Sequence, residues 1–184
     1  MESQHVRIYA LTVGIILLSL TFANATRADS EQATRQFLLG TGVLCTLGIP
    51  DACPDIASAS NGDQVLVTGS GKFTPGDDDA SGGGTFKHMR GTTVVASGTW
   101  KAEELVSFKS FGVTPGVGEG GKAVLKVVLK SSSGLVLHGV LVIGCELGSP
   151  PAGAFEGITL KVFRVINFNT PVSGITIFLP SAED

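Results

Sequence analysis

Past residue 35, apolar residues recur at every second position, the period of strands that bury one face. In QVLVTGSGKF (64–73), Val65, Val67 and Phe73 fall in phase with Gly69 and Gly71. AVLKVVLK (123–130) sets Ala123, Leu125, Val127 and Leu129 on one face and Lys126 and Lys130 on the other. LVLHGVLVIGC (135–145) is apolar on both faces and predicts a central strand, while ITLKVFRVINF (158–168) alternates again. Further strands are predicted at 37–46, 84–90, 93–102, 104–111 and 174–179. The only helical period beyond the N-terminal segment is a short one at Asp29–Arg35.

The links between these runs carry turn chemistry: Asn61-Gly62-Asp63, Pro75-Gly76, Arg90-Gly91, Pro115-Gly116, Ser133-Gly134 and Pro150-Pro151. Links this short favour antiparallel hairpins, because parallel pairing needs a long crossover. The expectation is an all-β fold: one antiparallel domain at 37–184 of about eight or nine strands, closed as a flattened β-barrel or stacked as a β-sandwich. Residues 26–36 are polar and read as a flexible lead-in.

The N-terminus breaks this pattern. Ile8–Ala23 is a continuous apolar run, followed by small residues in ANATRADS. Its 16 residues fall short of the roughly 20 that a bilayer span needs. Ala23-Asn24-Ala25 has the small-x-small form of a signal-peptidase site, so export with cleavage after Ala25 or Ala28 is expected, to a secreted or cell-envelope location. The alternative is an uncleaved N-terminal membrane anchor. No transmembrane span is expected in the mature chain. Cleavage would also destroy the sequon Asn24-Ala25-Thr26.

Composition narrows the function classes. The chain of 184 residues has net charge −3, and residues 1–25 carry one acid, Glu2, and one base, Arg7, so cleavage leaves the balance unchanged. A strongly basic nucleic-acid binder is therefore excluded on charge. Charged residues make up 16%, against about 25% in ordinary domains, and there are 25 glycines, about twice the usual share.

The strings GGGTFKH (82–88), GTTVVASGTWKAEELVSFKSFG (91–112) and CELGSPPAG (145–153) together resemble a group of small secreted bacterial all-β proteins. That group shares a Gly-rich turn and a Gly-Thr-Trp strand. The resemblance covers most of the mature chain, rests on structural motifs and implies a fold without an activity.

Few residues could carry chemistry. Asp77-x-Asp79-x-Ser81-Gly82 has the form of half a calcium loop, in which alternate oxygens face the ion and glycine allows the sharp turn. The twelfth position, where a bidentate Glu would complete it, is His88. Asp78 or a distant acid such as Glu119 could complete a shorter loop, but a solvated hairpin link is the favoured reading of 77–84. His88 and His138 lack metal-ligand spacing, and zinc needs at least three converging ligands, so a His88–His138–Asp site is disfavoured. Gly116-x-Gly118-x-x-Gly121 matches the dinucleotide fingerprint only formally, because a strand pattern follows instead of a helix. No cofactor is expected.

Of the three cysteines, Cys45 and Cys53 are close enough to clamp a short loop, with Cys145 as the alternative partner of either. Trp100, Phe108 and Phe111 could form a sugar-stacking platform, but Trp100 alternates in phase with Val94, Ala96 and Gly98 and is expected in the core.

Two function classes follow. The first is a non-catalytic secreted β-domain acting as a binding or structural module. The second is a small barrel-type enzyme, an isomerase, cyclase or hydrolase, with its site in the barrel mouth and His88, Arg90, His138 and Glu146 as its working residues. A closed barrel with a polar cavity lined by these side chains favours the second; a solid core with isolated histidines favours the first.

Overall fold

The computed structural model describes residues 33–180. They form ten antiparallel strands: β1 (Arg35–Leu39), β2 (Asp55–Ala59), β3 (Gln64–Phe73), β4 (Ala80–Arg90), β5 (Thr93–Thr114), β6 (Gly118–Ser131), β7 (Val136–Cys145), β8 (Gly157–Val162), β9 (Ile166–Ser173) and β10 (Thr176–Pro180). The fold is all-β and ring-like. The expected signal segment, its cleavage sites and most of the predicted helix at 29–35 lie outside the described residues.

Long strands β3 to β6 make one continuous wall. Toward one end it closes through β2, β9, β8 and β7: β2 pairs with Gln64–Val67 of β3, and β7 pairs with Gly121–Lys130 of β6. Toward the other end, β1 takes over the edge of β3 at Gly69–Phe73 and pairs with β10, which meets β6 at Glu119. The result is a flattened barrel, with eight strands ringing one end and the β1–β10 ribbon crossing the other.

The two ends are filled differently. At the β1–β10 end, Phe37 stacks on Phe73 and on Trp100, each at 6.3 Å between ring centres. Phe178 meets Phe73 and Phe108 edge-on at 5.8 and 5.1 Å. Each such pair contributes about 1 kcal/mol beyond its area of burial. The glycines of β3 make room for these rings: a Cβ on Gly69 would lie 2.6 Å from the Trp100 indole, and one on Gly71 would lie 2.5 Å from Phe37. Trp100 is buried and donates its indole N–H to the Thr68 carbonyl at 3.0 Å, so it belongs to the core, as its phase implied. Arg35 and Glu119 form a buried ion pair at 3.1 Å beside these rings, with the guanidinium 5.5 Å from the Phe108 ring centre.

Several boundaries differ from the sequence expectation. β3 runs over the predicted 64–73, whereas 93–102 and 104–111 are one strand that stays continuous through β-bulges at Ala102/Glu104 and Leu105/Ser107. The predicted strand at 158–168 is two, broken at Arg164, whose φ of 62° lets the chain reverse. The run at 37–46 is strand only to Leu39; Gly42–Thr46 is a 3-10 helix, so Cys45 is not on a strand face. Strand β2, DIASA, was not predicted, because its inward positions are an aspartate and two alanines. Ser81–Gly84 belongs to β4 and pairs with Gly69–Lys72, leaving only 74–79 as the connection.

Candidate functional site

The end ringed by eight strands is open. A cavity of about 500 Å³ enters the barrel there, within the range of roughly 300–1,000 Å³ usual for small-molecule sites. Its deeper walls are apolar: Val65, Phe86, Leu129, Leu137, Leu160 and Phe168 among others. At its rim stands one polar cluster, Asp63, His88 and Arg90.

Strand phase builds this cluster. Asp63 lies two residues before Val65 and four before Val67, both buried, so it enters β3 on the inward face. On β4, His88 and Arg90 continue the inward phase of Phe86. The antiparallel register sets His88 opposite Val65, which brings the end of β4 to Asp63. Arg90 donates from Nε to Oδ1 at 3.0 Å and from Nη2 to Oδ2 at 2.9 Å. His88 Nε2 contacts Oδ2 at 2.8 Å, and the Asp63 N–H donates to the Asn61 side chain at 3.1 Å. The His88 ring also meets Phe168 edge-on at 5.2 Å, which fixes its plane.

The Arg90 hydrogen bonds, reinforced by that from His88, hold the Asp63 carboxyl far below the usual carboxylate range. The Asp63 pair in turn raises the Arg90 pKa. An ionised Asp63 can only accept hydrogen bonds, so His88 carries its proton on Nε2. That leaves Nδ1 as the ring nitrogen not engaged by Asp63, on a side chain that lines the cavity. The cluster can therefore orient a polar group at the mouth, and His88 has the arrangement of a base held by a carboxylate.

Of the four residues expected to work together, the structure brings only His88 and Arg90 together, on Asp63. His138 points outward from β7, 63% exposed, with Glu103 at 3.8 Å. Its phase is that of Val136 and Val140, which is the outer face, while Leu137, Leu141 and Ile143 point inward. Glu146 is exposed at the opposite end, in the β7–β8 loop, where its N–H donates to Glu156 at 2.9 Å. Neither reaches the mouth. Asp63 is not among the candidates the sequence offers, because Asn61-Gly62-Asp63 has the form of a turn; its phase with Val65 is the available signal.

Asp77, Asp78 and Asp79 are exposed in the β3–β4 connection, and Ser81 lies in β4. Glu119 is engaged by Arg35 rather than by this loop. Among the described residues, no group of three or more His, Cys, Asp or Glu side chains could hold a metal ion. Cys45 and Cys53 are bonded to each other, with Cα atoms 5.5 Å apart, while Cys145 is a buried thiol pushed up to about 11 by desolvation.

A second acidic cluster lies at the far end. Asp55 is fully buried, and neither carboxyl oxygen has a hydrogen-bond partner. Gly40, Gly157 and Gly174, all with positive φ, surround it; a Cβ on Gly174 would collide with Oδ1. Desolvation, then the charge of Glu156, pushes the Asp55 carboxyl up to about 8. Glu156 is itself raised by burial, although it accepts from Thr176 N at 2.7 Å.

No protein-family model, no curated protein and no solved structure matches this chain.

Proposed function

We propose that the protein is a secreted or cell-surface binding module whose barrel mouth takes a small, largely apolar molecule with one polar end. One observation carries this: an open cavity with apolar walls has its only charged cluster at the rim. Such a site gains affinity by removing apolar ligand surface from water, at about 25 cal/mol per Å², while the rim groups fix orientation. Arg90 is the natural contact for a carboxylate, carbonyl or hydroxyl, because Nη1 is not used in holding Asp63. Export by a signal peptide cleaved after Ala25 or Ala28 is part of the proposal. The Cys45–Cys53 bond supports it, since such bonds persist in oxidising compartments.

Fluorescence titration with anilinonaphthalene sulfonate, an apolar ring system with an anionic group, tests the binding reading. Saturable binding is expected, displaced by decanoate and abolished by Ala96→Trp, which fills the cavity. Absence of saturable binding, or equal binding by the filled variant, would overturn it.

The Asp63–His88 pair supports a second reading, an enzyme of the isomerase, cyclase or hydrolase type with His88 as general base. Mass and chromatographic analysis of ligands after prolonged incubation separates the two. Ligands recovered unchanged favour the module; a conversion lost in His88→Gln favours the enzyme.

A further inference from the structure

The turns around the mouth present large apolar side chains to solvent. Val94 and Val95 follow the β4–β5 turn, Leu135 and Val136 the β6–β7 turn, and Phe163 and Val165 flank Arg164 in the β8–β9 turn; all six are 44–60% exposed. They share one end of the barrel, because Val95, Leu135 and Val165 line the same opening. The bulge between His88 and Met89 makes Val95 an extra residue opposite β4, which adds to the apolar rim. Exposed side chains this large, gathered on the tips of separate turns around one opening, mark a surface that meets an apolar phase.

Charge indicates which phase. Lys130 and Arg164 stand exposed beside these tips, and neither has an ion-pair partner among the described residues. Asp63 is the one acid of the mouth turns, and Arg90 already neutralises it. The opposite end also shows apolar side chains, Val113 and Val117, but the β3–β4 connection there carries exposed Asp77, Asp78 and Asp79, and exposed Lys72, Lys109, Lys122 and Glu146 stand toward that end as well. A chain of net charge −3 thus turns a net cationic set of turns outward around its cavity, Arg90, Lys130 and Arg164 against Asp63, while three adjacent aspartates stand at the other end beside lysines.

From this we infer that the rim docks on an anionic lipid surface, with the valines, Leu135 and Phe163 entering the interface and Lys130 and Arg164 meeting headgroup phosphates. The inference rests on the binding reading in one respect: docking would place the cavity against the acyl chains, so that the ligand reaches it without crossing water. Each interfacial cation strengthens adsorption by about fivefold.

The test uses the full chain carrying Phe163→Trp, so that signal from the rim is distinct from any contribution of the N-terminal segment. The native Trp100 is buried and supplies a constant background. On vesicles of equimolar phosphatidylglycerol and phosphatidylcholine, rim fluorescence should shift to the blue and be quenched by brominated acyl chains. Pure phosphatidylcholine should give little of either, and Lys130→Gln with Arg164→Gln should weaken partitioning by about 25-fold. No quenching, equal quenching on neutral vesicles, or full quenching in the charge variant would each overturn the proposal. A blue-shifted rim tryptophan without vesicles, accompanied by a dimer in sedimentation, would instead identify a second copy as the occupant and overturn it too. Decanoate binding is measured on the same proteins without vesicles: binding retained with docking absent sinks only this inference, and the converse sinks only the cavity reading.

Discussion

Replacing Asp55 by Asn removes one buried ionisable group at almost constant shape. In the native protein the Asp55 carboxyl is raised from 3.8 to about 8, so between those values the folded chain holds a proton that the unfolded chain has released. Stability therefore falls as pH rises through this window, by about 1.4 kcal/mol per unit. Four units amount to about 5 kcal/mol, fully present below the unfolded value and lost by the folded one. Glu156, raised in the same direction, adds to the decline. Asp63 has the opposite sign: its depressed carboxyl contributes stability that is present above the unfolded value and lost as pH falls below it. Thermal unfolding by circular dichroism across about pH 3 to 9 should thus give a maximum near pH 4 to 5. Asp55→Asn should differ little from the parent at about pH 4 and melt roughly 10 °C or more higher at about pH 8. A parent whose melting temperature is flat from pH 4 to 8, or a variant with the parent's slope, would refute the protonated, unpartnered Asp55.

Three other perturbations have defined outcomes. Cys45→Ser with Cys53→Ser opens a loop with a sequence separation of 8, and should lower stability by about 2.5 kcal/mol in denaturant melts. Gly84→Ala drives a Cβ into the Thr68 carbonyl across the β3–β4 ladder and should cost about 3 kcal/mol in denaturant melts, whereas Gly116→Ala, in open space but at a φ of 75°, should cost only about 1 kcal/mol of backbone strain and Gly116→Asn less. Millimolar calcium against chelator should leave the melting temperature unchanged, since Asp77, Asp78 and Asp79 are exposed and in no metal-binding group; a rise abolished by Asp77→Asn and Asp79→Asn would contradict this.

Much of the barrel was legible because period-two alternation is a strong local signal wherever the buried face carries Val, Leu or Phe. It placed Val65, Val67 and Phe73 correctly in β3, and Trp100 in the core. It failed at β2, whose inward residues are small or acidic, and at β5, where bulges shift the phase and hide the continuity of one long strand. Two of the three residues of the candidate cluster were legible for a different reason. His88 and Arg90 drew notice as rare chemical side chains, yet what unites them with Asp63 is a pairing register between strands, which no local pattern carries. His138 was misplaced because its strand is apolar on both faces, so hydropathy could not tell the inner face from the outer. Asp55 was invisible for a related reason: its burial comes from Gly40, Gly157 and Gly174, which are distant in sequence.

The site itself is tested most directly by methyl-resolved NMR of the protein titrated with decanoate. The expected result is saturable shifts confined to cavity methyls, those of Val65, Leu129, Leu137, Leu160 and Ile166, with the outward Val106 and Val172 unmoved. Shifts spread over the outer face, or none at the cavity methyls with this ligand or with anilinonaphthalene sulfonate, would contradict a binding site in the barrel mouth.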